Sequence, residues 1–305
     1  MSNTSNTSEI ASKISVIVCT YNRVRFIHEC LEHLKDQTLE NDDYEIIVIN
    51  NNSNDNTAEV VEKFISETPQ LDIKQVEELN QGLSFARNRG LQEAKYDIIC
   101  YIDDDGYAKA NYLEEIQKIF IKNKVIAGVG GKVIPQYEDA EPDWYNPYLR
   151  MMVTSIDFGD KSFKCKGKKY PAGCSMIYRK QYLIKAKGFN NKLKWRADDK
   201  YIFHEVSKLT DEIYYMPQLE VKHCIDRART TDENFDKLSG LLGSEERIRI
   251  LGEKKWAYPF KIIEFVFKYF ASILIALFYT VKGESIKGKY TIRFRWLALL
   301  KFIKS

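Results

Sequence analysis

The stretch Ile98-Ile99-Cys100-Tyr101-Ile102-Asp103-Asp104-Asp105-Gly106 joins an apolar run directly to three carboxylates. The apolar run predicts a buried strand, so the three aspartates are expected together at its carboxyl end. Two like charges about 4 Å apart repel by roughly 4 kcal/mol at an effective dielectric of about 20. A hard divalent cation such as Mg²⁺ or Mn²⁺ removes that repulsion and commonly binds together with a phosphate. The simpler alternative is a solvated turn, which Asp-Gly sequences favour.

Segments with strand and helix patterns alternate on both sides of this stretch. Apolar runs of strand type occupy residues 14–19 and 44–49, with a weaker candidate at 71–76. Helical spacing of apolar residues follows the first two runs, and further helices are predicted over residues 80–95 and 111–122. Strands that alternate with helices of this length indicate βαβ units, and hence an α/β fold with a mostly parallel sheet.

Polar residues follow three of the predicted strands at the point where each strand ends. These clusters occupy residues 20–23, 50–55 and 103–105. In an open α/β sheet the ligand crevice lies outside the carboxyl ends of the parallel strands. One polar cluster is an ordinary loop, whereas three at the same edge are better explained by a site.

The second half of the chain follows a looser pattern. Residues 136–170 contain prolines and several aromatic residues, which predict an irregular segment that shapes a pocket or a lid. A further strand is predicted over residues 173–178, and a helix follows Asp199. Two short strands are then predicted, at residues 213–216 and 219–223.

Composition narrows the possible compartments and partners. Six scattered cysteines without a C-x-x-C pair argue against a zinc site or a disulfide framework and favour a reducing cytosol. Residues 1–12 are polar, lack a signal-peptide pattern and predict a disordered tail. The net charge of +3 is divided unevenly, because residues 254–305 carry +9 and the remainder carries −6. An acidic body with a basic, aromatic end suits a membrane surface, and no nucleic-acid partner is expected.

Four segments carry a family resemblance in their order and spacing: ISVIVCTYNR, EIIVINNNSNDNT, NQGLSFARNRG and YIDDDG. They resemble the family 2 glycosyltransferases, and PAGCSMIYRK, Asp198-Asp199 and Val221-Lys222-His223 continue the match over roughly residues 13–235. The resemblance implies a GT-A-type nucleotide-binding fold, in which a mixed, mostly parallel central sheet is flanked by helices. It also implies an inverting transfer that depends on Mn²⁺ or Mg²⁺.

The resemblance assigns the first two strand-end loops to a nucleotide-diphosphate sugar donor. Thr20, Tyr21 and Arg23 resemble the loop that cradles the base, and Arg87 falls on the diphosphate side. Asn51 stands where the family usually has an aspartate that hydrogen-bonds the base. Because an amide is a donor and an acceptor together, unlike a carboxylate, the base stays open between uridine, guanosine and another.

The aspartate triplet resembles the D-x-D motif of the family. Asp105 would ligate the metal with His223 as a second ligand, while Asp103 and Asp104 would hold the ribose and the donor sugar. Without the resemblance, His223 is equally well explained as a polar residue at a strand end. Arg87 has a comparable alternative as a solvated helix charge.

The resemblance makes Asp199 the general base that takes a proton from the acceptor hydroxyl. The residues assigned to the acceptor are Gly173, Cys174, Ser175, Trp195 and Asp198. Two alternatives remain at this level. Asp198 and Asp199 also suit the first turn of a helix, where carboxylates complement the helix dipole. Trp195 also suits a core or lid position.

The carboxyl-terminal segment predicts two amphipathic helices joined by a short turn. Residues 262–281 hold sixteen apolar residues in twenty, and residues 290–303 repeat the pattern with flanking cations. A polar stripe at helical spacing runs along the first helix: Lys261, Glu264, Lys268 and Ser272. Residues 256–305 are therefore expected to lie on an anionic membrane. A hairpin packed on the catalytic domain or in a dimer is the alternative, and a true span is disfavoured by the charges near the helix start.

These observations predict a metal-dependent inverting glycosyltransferase that acts on a glycan or lipid-linked acceptor in surface polysaccharide biosynthesis. Residues 13–135 would form its nucleotide-binding half and residues 136–235 its acceptor-binding half. Residues 236–305 would form a helical extension that holds the protein peripherally on the cytoplasmic face of the cell membrane. The alternatives are a sugar nucleotidyltransferase, whose Gly- and Lys/Arg-rich loop is missing after the first strand, and a membrane-docked scaffold with a decayed site.

Overall fold

The computed structural model describes residues 13–193, 198–253 and 255–304. The predicted tail at residues 1–12 and the predicted acceptor residue Trp195 lie outside the described residues.

The order of the elements follows the predicted alternation of strands and helices. The strands are β1 (Ile14–Thr20), β2 (Tyr44–Asn50), β3 (Ile73–Glu77), β4 (Ile98–Asp103), β5 (Gly106–Ala108), β6 (Gly128–Tyr137), β7 (Phe163–Lys164), β8 (Met176–Arg179) and β9 (Ile213–Ile225). The helices are α1 (Val24–Lys35), α2 (Thr57–Glu67), α3 (Leu83–Glu93), α4 (Tyr112–Lys122), α5 (Lys180–Lys185), α6 (Asp198–Ser207), α7 (Arg227–Thr230), α8 (Asp232–Glu253), α9 (Tyr258–Val281) and α10 (Ser285–Lys304). Short 3-10 turns occupy Asn41–Asp43, Arg150–Met152, Gly173–Ser175 and Lys255–Ala257.

The strands of the described residues form one mixed sheet in the order β3-β2-β1-β4-β8-β6-β9-β5, with β7 paired to β9. The first four strands of this order run parallel to one another. β8 runs antiparallel to β4 and to β6, and β9 runs antiparallel to β5 and to β7. The predicted fold class, a mixed sheet with helices and a helical carboxyl-terminal extension, is confirmed.

The register of the parallel strands brings their polar ends to one edge. Thr20 at the end of β1 lies opposite Asn50 at the end of β2. Cys19, one residue earlier, lies opposite Asp103 at the end of β4. All three polar clusters predicted from the sequence therefore begin at the same edge of the sheet.

Burial on both faces explains why these strands read as nearly continuous apolar runs. Every residue of β2 is buried, and only Cys19 of β1 is partly exposed. Covering helices bury one face each, as α1 does with Ile27, Leu31 and Leu34. Parallel strands that are covered on both faces show this pattern instead of alternation, and each fully buried aliphatic side chain contributes about 1.5–3 kcal/mol.

β9 is one continuous strand where the sequence predicted two short ones. Pro217 and Gln218 interrupt the apolar pattern and produced the expected break. Proline removes one backbone donor, which a strand tolerates at a position that does not need that bond. The continuity matters for the site, because β5 pairs with β9 at His223 and β7 pairs with it at Tyr215.

The chain divides into two compact units. The described residues up to Ile134, together with those from Ile156 to His223, form the first unit. Residues 135–155 and 224–304 belong to the second. These boundaries differ from the expected division at residue 235, because residues 135–155 pack with the helical extension. The assignment of a nucleotide half and an acceptor half stays a prediction.

Helices α8, α9 and α10 form most of the second unit, and α10 packs against both of the others. Its buried residues include Phe294, Ala298 and Phe302. An aromatic cluster joins Trp144 and Phe235 to this packing, with ring centroids 5.1 Å apart. The stretch Lys255–Val281 is long and apolar enough to cross a membrane, as judged by length and composition.

The close packing of β6 on β9 generates a stability prediction. A Cβ atom added at Gly131 would lie 1.8 Å from the carbonyl oxygen of Leu219, which is backbone and has little freedom to move. We expect Gly131→Ala to lower the free energy of unfolding by about 3 kcal/mol, as overpacking a core does.

The matched control is Gly252→Ala in α8, where an added Cβ meets no heavy atom within 4 Å. Alanine is a better helix former than glycine, so this variant should be as stable as the parent chain or slightly more stable. Denaturant unfolding of the two variants checks the pair. Equal stability of both would contradict the packing at Gly131.

Candidate active site

Hydrogen bonds join the first two strand-end loops into one structure. The Asn51 amide N–H donates to the Thr20 carbonyl at 2.8 Å, and the Asn22 N–H donates to Ser53 Oγ at 3.0 Å. Asn22 and Asn52 adopt positive φ values of 53° and 61°, which asparagine tolerates better than most residues. The polar composition of these loops therefore has a structural cause as well as a possible functional one.

The Asn51 side chain holds the loop that precedes α3. Its Nδ2 donates to the carbonyl oxygens of Glu78 and Asn80 at 2.8 Å, and its Oδ1 accepts from the Gly82 N–H at 2.8 Å. A carboxylate cannot donate to those two carbonyls. The asparagine that replaces the family's usual aspartate is therefore explained by these hydrogen bonds. The contact of Asn51 with the nucleotide base stays a prediction.

The aspartate triplet begins with Asp103, the last residue of β4, and Asp104 and Asp105 follow it, buried, before β5. β5 pairs with β9 so that Gly106 lies opposite His223. This pairing places His223 Nε2 3.3 Å from Asp105 Oδ1. The structure therefore brings together the two residues that were predicted as metal ligands, although they are 118 positions apart in the sequence.

Arg23 supplies positive charge to this cluster. Its Nε lies 3.2 Å from Asp104 Oδ1, and its Nη2 donates to Asp105 Oδ2. The guanidinium also lies over the Phe26 ring, 4.3 Å from the centroid. Burial raises the pKa of Asp104 to about 7, although Arg23 opposes that shift. A carboxylate with so high a pKa indicates a position that a further cation would stabilise.

Asp105 and His223 are suitable ligands for a divalent ion. The Arg23 guanidinium now supplies positive charge to the same carboxylates. Among the described residues, no group of three or more metal-ligating side chains is found. Asp105 and His223 offer one carboxylate and one imidazole, a donor pair that suits Mn²⁺. Ions that bind with nucleotides commonly take one or two protein ligands and complete their shell with phosphate oxygens and water.

Arg87 in α3 is buried and joins two carboxylates of the site. Its Nη2 lies 3.0 Å from Asp103 Oδ1, and its Nη1 donates to Asp198 Oδ2. Burial alone would lower the pKa of Arg87, but Asp198 and Asp103 raise it, so the guanidinium stays charged. Gly173 makes room for it, because a Cβ there would lie 2.5 Å from Arg87 Nη2. The structure does not show the exposed helix charge that was the alternative.

Asp199 follows in the first turn of α6 and is partly exposed, whereas Asp198 is buried. Burial raises the pKa of Asp199 to about 6, Asp198 raises it further, and Arg87 lowers it. Asp103 also raises this pKa, by a smaller amount. A carboxylate that titrates near neutrality suits a general base.

The predicted acceptor residues divide into two groups. Cys174 and Ser175 are fully buried, and Ser175 Oγ lies 2.8 Å from Tyr112 Oη, so their side chains face the interior. Gly173 accommodates Arg87, as described above.

Sequence reasoning missed Tyr170, which stacks on Phe203 of α6 with ring centroids 5.7 Å apart. Its pKa is raised by burial and by Asp199, and no periodic signal could have placed it there.

Comparison with known sequences identifies relatives of the chain. The family model described as glycosyl transferase family 2 matches residues 15–186, which is more than half of the chain. The glycosyltransferase EpsH of Bacillus subtilis, described as putative, is 33% identical over 34% of this chain and 29% of its own. The poly(ribitol-phosphate) beta-N-acetylglucosaminyltransferase TarS of Staphylococcus aureus is 26% identical over 96% of this chain and 49% of its own.

Solved structures share the fold. The mannosyltransferase PcManGT of Pyrobaculum calidifontis, in complex with GDP-Man and Mn²⁺, superposes with a TM-score of 0.64. It is 17% identical, and the match covers 96% of this chain and 87% of that one. A crystal structure of Staphylococcus aureus TarS gives a TM-score of 0.55 at 18% identity, over 93% and 91% of the two chains.

The chain matches only part of the length of these relatives: 29% of EpsH and less than half of TarS. The region that the family model matches nevertheless contains β1 from Ser15 onward, β2 and β4 with all three strand-end clusters, and it ends beyond β8. With this match over more than half of its length, the chain belongs to glycosyl transferase family 2.

Proposed function

We propose that this protein is a metal-dependent inverting glycosyltransferase. It moves a sugar from a nucleotide-diphosphate donor to a glycan or lipid-linked acceptor, in the assembly of a surface polysaccharide. The observation that carries the proposal is the grouping of Asp103, Asp104, Asp105 and His223 at the strand edge, which Arg87 joins to Asp198, the residue before Asp199. The relatives EpsH and TarS support the reaction class, and TarS supports a polymeric acceptor.

The donor would bind at the carboxyl edge of the parallel strands. Thr20, Tyr21 and Asn51 form the wall for the base, and Asp103 and Asp104 hold the ribose and the sugar. Asp105 and His223 would hold Mn²⁺ or Mg²⁺, which would neutralise charge on the leaving diphosphate. The solved complexes of similar fold with GDP-Man and Mn²⁺ or with UDP make guanosine and uridine sugars the first donors to test.

Asp199 would act on the acceptor. Its carboxylate takes the proton of the attacking hydroxyl, and the anomeric carbon exchanges its bond to diphosphate for a bond to that oxygen. A positioned base of this kind contributes typically about 10²–10⁴-fold. Asp198 accepts a hydrogen bond from the Arg87 guanidinium and is buried, so Asp199 is the better placed of the two carboxylates to act on the acceptor.

Contacts in the structure argue against the alternative of a membrane-docked scaffold with a decayed site. That alternative relied on Asn51 in place of an aspartate, and Asn51 makes three hydrogen bonds that an aspartate could not all make. The carboxylates of the triplet are accompanied by Arg23, Arg87 and His223, as expected of a maintained site.

The second unit would hold the enzyme peripherally on the cytoplasmic face of an anionic membrane. One side of α9 is an outward stripe, with members between 58% and 90% exposed: Phe260, Ile263, Phe267, Phe270, Leu274, Leu277 and Val281. The steps between them alternate between three and four residues, so they share one helix face. Exposed apolar patches of this size mark interaction surfaces.

The polar side of α9 is satisfied within the unit. Lys261 Nζ lies 2.9 Å from Glu246 of α8 and 2.8 Å from Glu264, and Ser272 is buried. The sequence thus predicted the stripe of polar residues but not that Lys261, at its start, pairs with Glu246 of α8. Residues 254–305 carry a net +9, which would repel a second copy and attract anionic lipid.

The metal assignment predicts that Asp105→Asn loses metal-dependent nucleotide binding. For the parent chain, UDP or GDP with Mn²⁺ at about 100 times Kd should add about 2.7 kcal/mol of stability. The variant should show little of this gain, because it lacks one of two protein ligands. Thermal shift with and without Mn²⁺ measures the gain within each variant, which removes the effect of altered basal stability. Asp36→Asn, at an exposed position after α1, is the control. An undiminished gain in Asp105→Asn would exclude the assigned ligand.

The base assignment predicts a pH profile. Because the pKa of Asp199 is raised to about 6, kcat/KM should fall as the pH drops below about 6 and the carboxylate becomes protonated. Asp199→Asn should lower kcat by about 10²–10⁴-fold and leave nucleotide binding intact. Release of nucleoside diphosphate measures both. The control is Asp211→Asn, at an exposed position before β9. If Asp199→Asn keeps the parent rate, another group is the base.

The membrane assignment predicts that Phe267→Glu with Leu274→Glu lowers binding to anionic vesicles by more than about tenfold, since each buried apolar side chain contributes about 1.5–3 kcal/mol. Flotation with phosphatidylglycerol-containing vesicles measures it. Ile121→Glu, at an apolar residue of the first unit that is 54% exposed, is the control. Unchanged flotation together with a shift from dimer to monomer would assign the stripe to a second copy of the chain.

A further inference from the structure

Arg87 was assigned to the donor diphosphate, but its surroundings favour a different task. Both terminal nitrogens of the guanidinium contact carboxylates: Nη2 contacts Asp103 at 3.0 Å, and Nη1 donates to Asp198. The side chain is 2% exposed, and its guanidinium lies 5.6 Å from the Phe189 ring centroid. A ligand of a diphosphate needs nitrogens that face the ligand, whereas these face two protein carboxylates.

The two carboxylates belong to different parts of the site. Asp103 ends β4 and lies with the donor cluster, and Asp198 begins α6 and precedes the candidate base. A guanidinium holds two carboxylates in a fixed planar geometry, which a flexible ammonium does not. Arg87 therefore fixes the distance between the strand that carries the donor site and the helix that carries Asp199.

Other residues of α3 hold the segment that precedes α6. Ser84 Oγ donates to the Leu193 carbonyl at 3.2 Å. Asn88 Nδ2 donates to the Phe189 carbonyl at 2.8 Å, and Asn88 Oδ1 accepts from the Phe189 N–H at 2.8 Å. One face of α3 thus contacts this segment through two residues, Ser84 and Asn88, that lie one helical turn apart. Arg87 lies on the same side and extends the connection to α6 itself.

We propose that Arg87 is a positioning residue that holds Asp199 in place relative to the donor carboxylate Asp103. This inference rests on the proposed function for the identity of the base, and it replaces the diphosphate contact as the role of Arg87. The charge of Arg87 has a second effect, because a neighbouring cation favours the ionised form of a carboxylate. Without it, Asp199 would keep its proton to a higher pH.

The test compares Arg87→Lys and Arg87→Met in the full chain. A lysine keeps the charge but not the two-pronged contact, whereas methionine keeps only the apolar stem. Both variants should lower kcat at least about tenfold with little change in the donor KM, because orientation and not binding is lost. The apparent pKa of the acidic limb of the pH profile should rise by about one unit in Arg87→Met and stay near the parent value in Arg87→Lys.

A readout that does not depend on activity accompanies the kinetics. The carboxyl carbon of Asp199, assigned by its loss in Asp199→Asn, can be titrated by NMR in ¹³C-aspartate-labelled protein. Its pKa should rise in Arg87→Met and not in Arg87→Lys. The control is Arg89→Met on the same helix, where Arg89 pairs with Glu93 and not with the site. That variant should match the parent in every measurement.

The outcomes separate the possible roles. A rise in donor KM of tenfold or more, with kcat and the acidic limb unchanged, would restore the diphosphate role and overturn the proposal. A loss of rate with no shift of the Asp199 titration in Arg87→Met would leave only a structural role, which also overturns it. If Arg87→Met does not fold, Arg87→Lys still decides by its kcat and KM. If the parent chain transfers no sugar, the proposed function fails, and the NMR titration still decides whether Arg87 controls Asp199.

Discussion

Repulsion among carboxylates is the constraint around which the first unit is organised. Three aspartates at the end of β4 and two more at the start of α6 lie near one another, and several of them are buried. Two arginines hold this charge in place: Arg23 between Asp104 and Asp105, and Arg87 between Asp103 and Asp198. A buried carboxylate without such a partner would take up a proton. The loops, the close approach at Gly173 and the pairing of β5 with β9 all serve to bring these groups together.

Much of this arrangement could be predicted from the sequence, because it follows from local rules. Apolar runs and helical spacing predicted the strands and helices of the first unit, and the rule for parallel sheets placed three polar clusters at one edge. The pairing of Asp105 with His223 came from the family resemblance alone. No spacing rule connects two residues that meet only because β5 pairs with a distant strand.

The remaining features depend on tertiary contacts, which pattern analysis does not contain. Asn51 was predicted to contact the nucleotide base, whereas in the structure its side-chain amide hydrogen-bonds three backbone groups of the loop before α3. Pro217 predicted a break in β9, but the strand continues past it, pairing with β7 at Tyr215 and with β5 at Val221. The amphipathic pattern of α9 was recognised, yet periodicity cannot tell which face meets protein. The packing of α9 on α10 and the pairing of Lys261 with Glu246 of α8 show which face that is.

The position of Arg23 has a thermodynamic consequence for the order of events at the site. A metal ion that takes Asp105 Oδ2 as a ligand would displace the guanidinium from that oxygen. The displaced group then favours another anion nearby, and the phosphates of a nucleotide provide one. The nucleotide therefore lowers the free-energy cost of separating Arg23 from Asp105 when the ion binds, and the ion frees Arg23 to bind the nucleotide. Since such coupling is reciprocal, ion and nucleotide would raise one another's affinity by the same factor.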